Sequence, residues 1–139
     1  MASLIFNSFW DDKDRGNIVP SVDTFYVMLC TSAYTPDKDA HTKRSDVTNE
    51  IAAGNGYTAG GAACAVTITK DTANDKQILS FAQVDWANAT ITARKAVYYK
   101  RRGGAATADE LVAVVEAVGD VVSTNGTFSQ GATTINLQN

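Results

Sequence analysis

The sequence TFYVMLCT, residues 24–31, decides the fold class of this chain. Every position from Phe25 to Cys30 carries an apolar or aromatic side chain, so both faces of a β-strand formed here would be apolar. A short run of this kind between polar segments is typical of a strand that is buried on both sides. The sequence therefore predicts that this strand lies at the centre of the hydrophobic core.

Four further segments downstream have the composition of β-strands. Each is rich in β-branched or aromatic residues and is bounded by polar or glycine-containing stretches. The predicted strands are Cys64–Lys70, Gln77–Phe81, Thr90–Tyr99 and Leu111–Val115. The stretches KDTANDK and WANA supply the turns before the second and the third of these strands. This order predicts a β-meander or a Greek key.

Two segments in the last third of the chain carry local structural signals. Thr107 and Glu110 fit a helix capping box, so residues 107–118 have a helical alternative. A strand is preferred there, because the valines at positions 112, 114 and 115 are poor helix formers. Asn125-Gly126 is the strongest short hairpin signal and predicts a tight turn before the run TTINLQN.

The fold class that these segments favour is mainly β. We expect an antiparallel β-sandwich or distorted barrel with a short helical N-terminal segment and a long polar loop, residues 32–51. The 139 residues are expected to form a single domain, 1–139, in which residues 1–20 are an N-terminal arm or a short helix. The predicted core residues are Phe25, Val27, Leu29, Val66, Ile68, Phe81, Ile91 and Val97.

The glycine-rich sequence GNGYTAGG, residues 54–61, has two interpretations. A phosphate-binding loop lies between a strand and a helix and usually carries a Lys-Ser/Thr pair at the helix start. Here an alternating β-branched run follows the glycines, and the next lysine is Lys70. We therefore expect a tight turn that leads into a strand, and no nucleotide site.

The N-terminal segment carries three large aromatic side chains, Phe6, Phe9 and Trp10. Its apolar residues recur at helical offsets before the polar sequence DDKDRGN, which predicts a short amphipathic helix ending near Gly16. The aromatic side chains have two interpretations of equal weight. Either they pack on a neighbouring subunit, where buried aromatic residues dominate binding energy, or they cover the sheet of their own domain.

Five of the twelve basic residues lie within nine positions, although the net charge of the chain is -3. They are Arg94, Lys95, Lys100, Arg101 and Arg102. Two tyrosines interleave with them, a composition found at nucleic-acid and acidic-partner surfaces. The alternative is a charged hairpin tip that protects a strand edge. For so short a patch in an acidic chain, an acidic protein partner is favoured over DNA or RNA.

Residues suited to catalysis are sparse in this sequence. His41 is the only histidine and has no second ligand at metal-binding spacing, so it is interpreted as a loop residue. Cys30 and Cys64 lie in apolar runs and are expected to be buried free thiols. No nucleophile elbow or zinc spacing occurs. We therefore expect no enzyme activity, cofactor or metal, and no membrane span or secretion signal.

Three segments carry a family resemblance: TFYVMLCTSAYTPDKDAHTKRSDVTNE, GYTAGGAA and VDWANATITARKAVYYK. In this order and spacing they resemble a family of small tailed-bacteriophage virion proteins encoded among head and tail morphogenesis genes. The resemblance covers residues 4–128. In the family, the segment that matches residues 56–61 is the turn that starts a core strand. The chain departs from the family after residues 111–113, where VVEAVGD replaces an aspartate, an aromatic residue and a glycine.

The resemblance implies a structural role in a phage particle. The leading expectation is a capsid decoration or cement protein that binds the assembled shell in many copies. The alternatives are a neck or tail component and a host-surface or glycan-binding fibre module. The implied partners are the major capsid protein or other virion subunits, with homo-oligomers on the particle and no nucleic acid, membrane or small-molecule substrate. We expect the protein to be made in the host cytoplasm and to reside in the virion.

Overall fold

The computed structural model describes residues 3–138, which form two antiparallel β-sheets and one α-helix. Two short 3-10 turns lie in the connecting loops, at Arg44–Asp46 and Ala106–Ala108. The mainly β, sandwich-like fold predicted from the sequence is confirmed. The helix and strands are, in chain order, β1 (Leu4–Ile5), α1 (Asn7–Asp14), β2 (Phe25–Cys30), β3 (Ala62–Cys64), β4 (Val66–Asp71), β5 (Lys76–Phe81), β6 (Val84–Lys100), β7 (Leu111–Gln130) and β8 (Thr133–Gln138).

The two sheets differ in size and in their connections. The large sheet has the strand order β1-β7-β6-β2-β3, and the small sheet has the order β4-β5-β8. Strands β6 and β7 form a long antiparallel ribbon that runs from the pair Tyr99–Leu111 to the pair Val84–Gln130. The chain passes from one sheet to the other after β3, β5 and β7, so the two layers are linked three times.

Strand β2 lies inside the large sheet, between β3 and β6, and is buried on both faces. Phe25, Val27 and Leu29 belong to the inner cluster, between the two sheets, with residues of β5 and β8. Met28 and Cys30 belong to a second, outer cluster on the opposite face of the large sheet. The doubly buried strand that the continuous apolar run predicts is therefore confirmed.

The outer face of the large sheet is covered by the long polar loop and the N-terminal segment. Tyr34 and Phe6 are fully buried in the outer cluster, and Val47 and Leu4 pack against it. A sheet with two apolar faces needs a cover on each of them to keep its side chains from water. The loop is therefore a third layer over part of the sheet, although its sequence is polar.

The glycine-rich segment forms a tight turn and then a close contact with β2. Gly54 and Tyr57 exchange two backbone hydrogen bonds, of 2.8 and 3.0 Å, around Asn55 and Gly56, whose φ angles are +52° and +89°. Positive φ at both central residues defines a type I′ turn, for which Asn-Gly is the preferred sequence. At Gly61 an added Cβ would lie 1.8 Å from a main-chain oxygen of β2. The prediction of a turn leading into a strand is confirmed.

Three local predictions are wrong. Asn125-Gly126 lies inside β7 rather than at a hairpin, and the register shifts on both sides of its partner Ala89. Asn125 has a positive φ of +47° because it lies in a β-bulge. The segment WANA is part of β6 and not a turn. Ile68 is 38% exposed, because β4 is an edge strand of the small sheet.

Several other local predictions hold. Residues 111–118 form the start of β7, so the strand is confirmed and the helical alternative is excluded. Helix α1 ends just before Gly16, which has a φ of +81°. Of the predicted core, Val66 is only half-buried, in addition to the exposed Ile68, whereas the other six residues are buried.

Replacing Leu29 with alanine is expected to lower the free energy of unfolding by about 2 to 5 kcal/mol. Leu29 is 1% exposed and lies in the inner cluster, so truncation leaves a cavity that the sheets cannot close. Urea titration of the variant beside Leu137→Ala, at a half-buried position near the end of β8, measures the effect. Equal, small losses for both variants would contradict the central position of β2.

Candidate docking surface

The two lysines of the basic group are buried and paired within the chain. Lys95 is 7% exposed, and its Nζ lies 3.7 Å from a carboxylate oxygen of Glu116. Lys100 is 9% exposed, and its Nζ lies 3.0 Å from a carboxylate oxygen of Asp23. Each ammonium also donates to a main-chain carbonyl oxygen, at 3.1 and 2.6 Å. Their charges hold loops against β6 and are not presented to a partner.

The three arginines of the group are also engaged within the chain. Arg94 pairs with Asp120 at 3.1 Å, and Arg102 makes two hydrogen bonds with Glu110, of 2.6 and 2.7 Å. The guanidinium carbon of Arg101 lies 4.4 Å from the centre of a tyrosine ring in β2, a cation–π contact. The interpretation of the five residues as one free basic surface is therefore corrected. Four of them have acidic partners, and the fifth stacks on the sheet.

The N-terminal aromatic residues pack on the sheet of their own domain. Phe6 and Phe9 are 0% and 1% exposed, and Trp10 is half-buried with its ring centre 5.2 Å from that of Phe9. Strand β1 pairs with β7, and the N–H of Phe6 donates to the carbonyl oxygen of Val112 at 3.1 Å. The burial of Phe6 and Phe9 agrees with the second interpretation, in which they cover the sheet of their own domain. Of the three aromatic side chains, only that of Trp10 stays partly accessible to a neighbouring subunit.

Two buried carboxylates that sequence reasoning missed hold the loop after β6. Asp109 and Glu110 are 0% and 1% exposed. Asp109 accepts a hydrogen bond from Nε of Arg44 at 2.7 Å and one from the backbone N–H of Arg102 at 2.9 Å. The two carboxylates thus fasten the long polar loop to the β6–β7 connection. The signal in the sequence was a pair of acidic residues directly before an apolar strand. Only Glu110 was considered there, as part of the capping box of the helical alternative.

A third carboxylate, Glu50, fixes the glycine-rich segment. It accepts hydrogen bonds from the hydroxyl of Tyr57 at 2.5 Å and from the backbone N–H of Gly60 at 2.7 Å. The Tyr57 hydroxyl in turn accepts from the N–H of Leu29 at 3.1 Å, and its burial raises its pKa. Each of these groups has a partner inside the fold. The arrangement links the end of the long polar loop to β2 and to the glycine-rich segment.

The pH dependence of stability is expected to follow Glu110. Burial opposes ionisation, but hydrogen bonds from Arg102 and the charge of Lys43 hold the pKa of Glu110 below its ordinary value of 4.5. A lowered pKa in the folded state contributes stability that is present above pH 4.5 and is lost as the pH falls through the folded value. In urea titrations, the unmodified protein and Glu110→Gln should therefore have the same free energy of unfolding once the pH lies below the folded-state pKa of Glu110.

Asp14→Asn, at an exposed position in α1, is the matched control for this pH experiment. The free energy of unfolding of this variant should differ from that of the unmodified protein by the same amount at every pH. A Glu110→Gln difference that stays constant or grows on acidification would contradict the assignment.

In residues 3–138, no group of three or more His, Cys, Asp or Glu side chains is placed to hold a metal ion. His41 stacks on Tyr34, with ring centres 5.8 Å apart, and its Nδ1 lies 3.0 Å from the Tyr34 hydroxyl. Cys30 and Cys64 are buried free thiols, as predicted, and burial raises the pKa of Cys30 to about 12.

Three exposed valines lie within five residues of β7, and we call this stretch the valine ridge. They are Val118, Val121 and Val122, which are 90%, 43% and 63% exposed, whereas Val22, outside β7, is 76% exposed. Between the pairs Lys95–Glu116 and Ala93–Val121, β6 advances two residues and β7 advances five. The three extra residues on β7 form a bulge. In the described part of the chain, β7 pairs on its other side only with β1, so this stretch is a free sheet edge.

A separate apolar groove is lined in part by residues of β7 that precede the ridge in sequence. It has a volume of about 370 Å³ and is lined by β1, by residues 113–115 of β7 and by residues 133–135 of β8. Phe81, Tyr98 and Ile135 contribute buried side chains to its floor. Exposed valines on a free edge are unusual, because proteins commonly protect such edges with charged residues or proline. The ridge and the groove together are the candidate docking surface.

None of the helices in the described range, residues 3–138, has the length and apolar character required to cross a membrane. No protein-family model, no curated protein and no solved structure matches this chain.

Proposed function

We propose that the protein is a structural component of a tailed bacteriophage particle, and specifically a capsid decoration or cement subunit. The observation that carries the proposal is the valine ridge on the free edge of β7. An apolar ridge on a β-sandwich suits a subunit whose task is attachment to other subunits. The resemblance of residues 4–128 to small virion proteins supports the same role.

The energetics of the ridge favour a protein contact. Burying a valine side chain contributes about 1.5 to 3 kcal/mol relative to leaving it in water. Val118 and Val122 are more than half exposed, so most of that stabilisation is available only on binding. Asp120, which lies between them in sequence, already pairs with Arg94 and leaves no net charge at the ridge. Contact through these residues should therefore be apolar in character.

The exposed side chains bear differently on the two alternative roles, a neck or tail component and a glycan-binding fibre module. A neck or tail component would use the same ridge, so it stays the second candidate and differs in copy number on the particle. A glycan-binding fibre module would need exposed aromatic rings such as Tyr34 or Tyr57 in a groove. Both rings are buried, at 1% and 3% exposure, so this alternative lacks the feature that would favour it.

The test is reattachment of the purified protein to phage particles from which it has been removed. Val122→Asp should weaken attachment by at least about tenfold, because a charge replaces a side chain buried at the contact. Thr127→Asp, at an exposed position on the same strand, is the matched control and should attach normally. Attachment should change little with salt, because the ridge is apolar.

Cryo-electron microscopy of the particle then gives the location and number of copies. Many copies on the shell support the decoration role, and a single ring at the portal or along the tail supports the second candidate. Absence of the protein from purified particles would contradict both.

A further inference from the structure

We propose that Arg44 and Arg101 together bind one carboxylate group, supplied by an acidic side chain of a neighbouring subunit. We call these two residues the arginine pair. The inference rests on the proposed function for the identity of the partner and deepens it, because it adds a charged contact to the apolar one. Its basis is that both guanidinium groups converge beside Gly60 and keep N–H groups available for a further acceptor.

The positions of the two guanidinium groups suit one carboxylate. A Cβ built on Gly60 would lie 3.6 Å from Nη1 of Arg101 and 3.9 Å from Nη1 of Arg44. The two nitrogen atoms are therefore at most about 7.5 Å apart, the sum of these two distances. A carboxylate whose two oxygens each accept one hydrogen bond of about 2.8 Å can join donors up to about 8 Å apart. The geometry thus allows one carboxylate to contact both groups.

Each guanidinium group lies over a tyrosine ring of the large sheet. The Cζ of Arg101 is 4.4 Å from the ring centre of Tyr26, and the Cζ of Arg44 is 5.2 Å from that of Tyr99. The two tyrosines are direct cross-strand partners on β2 and β6, with ring centres 6.2 Å apart. These stacks hold both planar groups in place before a ligand arrives, so binding costs little side-chain entropy.

Both arginines retain donors for a ligand. Among residues 3–138, Arg101 is the one member of the basic group that forms no ion pair, and its side chain is half-buried. Arg44 uses Nε for its ion pair with Asp109, at 2.7 Å, and its side chain is 21% exposed. Its two Nη groups therefore stay available. A guanidinium group commonly binds a carboxylate through two such N–H groups.

The carboxylates nearest to the arginine pair are already engaged by donors of the fold. Glu50 accepts hydrogen bonds from the Tyr57 hydroxyl and the backbone N–H of Gly60. Asp109 accepts one from Arg44 and one from a backbone N–H of the β6–β7 connection. Two cations and two anions balance, so a ligand with a single charge fits better than a phosphate dianion. A nucleic acid is disfavoured, because the net charge of the chain is -3.

The arginine pair is expected to orient the docked subunit more than to strengthen its attachment. Charged contacts contribute to register and specificity more than to affinity. Partly buried pairs are also screened by salt much less than exposed pairs. The contact is therefore compatible with attachment that changes little with salt.

The test is an NMR titration of the purified protein, in which the Nε–H signals of Arg44 and Arg101 report binding. The probe is the blocked tripeptide N-acetyl-glycyl-glutamyl-glycinamide, whose single charge is a side-chain carboxylate. The same peptide with glutamine is the matched control probe. At constant ionic strength, the glutamate peptide should shift both signals in a saturable way, and the glutamine peptide should not. Inorganic phosphate that binds more tightly than the glutamate peptide would overturn the assignment to a carboxylate.

Variants at Arg101 separate a built site from general attraction between charges. Arg101→Gln should bind the glutamate peptide at least about tenfold more weakly, because it loses hydrogen bonds to a charged group. Arg101→Lys keeps the charge but loses the planar fork, so its binding should also weaken. Lys38→Gln removes an exposed charge from the long polar loop and should bind normally. Undiminished binding by Arg101→Lys, or no saturable shift in the unmodified protein, would overturn the inference.

Reattachment to stripped particles tests the source of the carboxylate. Arg101→Gln should attach more weakly than Lys38→Gln. Equal attachment of the two variants would overturn the assignment of the carboxylate to a neighbouring subunit.

These outcomes are separable from those of the proposed function. A protein that reattaches to particles but does not bind the glutamate peptide would overturn the carboxylate site and leave the virion role standing. A protein that binds the peptide but does not occur on purified particles would support the site and contradict the virion role.

Discussion

Replacing Gly61 with alanine is expected to lower the free energy of unfolding by about 2 to 5 kcal/mol. The added Cβ would lie 1.8 Å from the carbonyl oxygen of Val27, and the φ angle of Gly61 is +83°. Positive φ alone costs a non-glycine residue about 1 to 2 kcal/mol, and overpacking typically adds about 1 to 3 kcal/mol. The clashing atom belongs to the backbone of β2, so no side-chain rotation relieves it. Urea titration measures the loss.

Gly103→Ala separates the two causes. Gly103 has nearly the same φ, +86°, but no atom of the described residues lies within 4 Å of the position of its Cβ. This variant should lose only the conformational part, about 1 to 2 kcal/mol. Equal losses at both positions would show that β3 can move away from β2 and would contradict the close contact.

Replacing Asp109 with alanine is expected to cost about 3 to 5 kcal/mol, the range for removing one partner of a buried ion pair. The change leaves the guanidinium of Arg44, which is 21% exposed, without its carboxylate. It also removes the acceptor for the backbone N–H of Arg102. The long polar loop should loosen first, and hydrogen exchange at residues 42–47 reports this directly.

Asp11→Ala is the matched control for the ion pair. Asp11 and Arg15 lie 2.8 Å apart, but their side chains are 63% and 69% exposed. Exposed pairs contribute about 0 to 1 kcal/mol, because water and salt screen the charges. A loss at Asp109 as small as that at Asp11 would show that the buried network does not stabilise the loop.

The unbroken run of apolar residues in β2 was sufficient to predict the centre of this fold. Positions 25–30 are apolar on both faces, and the structure places neighbouring strands and a cover on each face. The β-bulges were not predictable in the same way. Asn-Gly is favoured at any site that needs positive φ, so the pair at 55–56 makes a turn whereas the pair at 125–126 makes a bulge. Only the partner strand decides between the two.

The candidate site was harder to predict than the fold. Sequence reasoning selected Lys95 and Lys100 because they lie close together in the chain, but their acidic partners come from distant segments. The ridge was missed because Val118 and Val122 resemble ordinary strand residues. Their exposure depends on three extra residues in β7 relative to β6, and such a register shift has no marker in the sequence.

The pairing of β1 with β7 also determines the order in which the chain can fold during synthesis. The backbone N–H of Glu116 reaches the hydroxyl of Ser3, 113 positions earlier. The ribbon of β6 and β7 closes over a short connection, whereas β1 has no strand to join until β7 has left the ribosome. Contacts of such long sequence separation form late and slow folding. Leu4, Ile5 and Phe6 therefore lack their partners on β7 until late in translation.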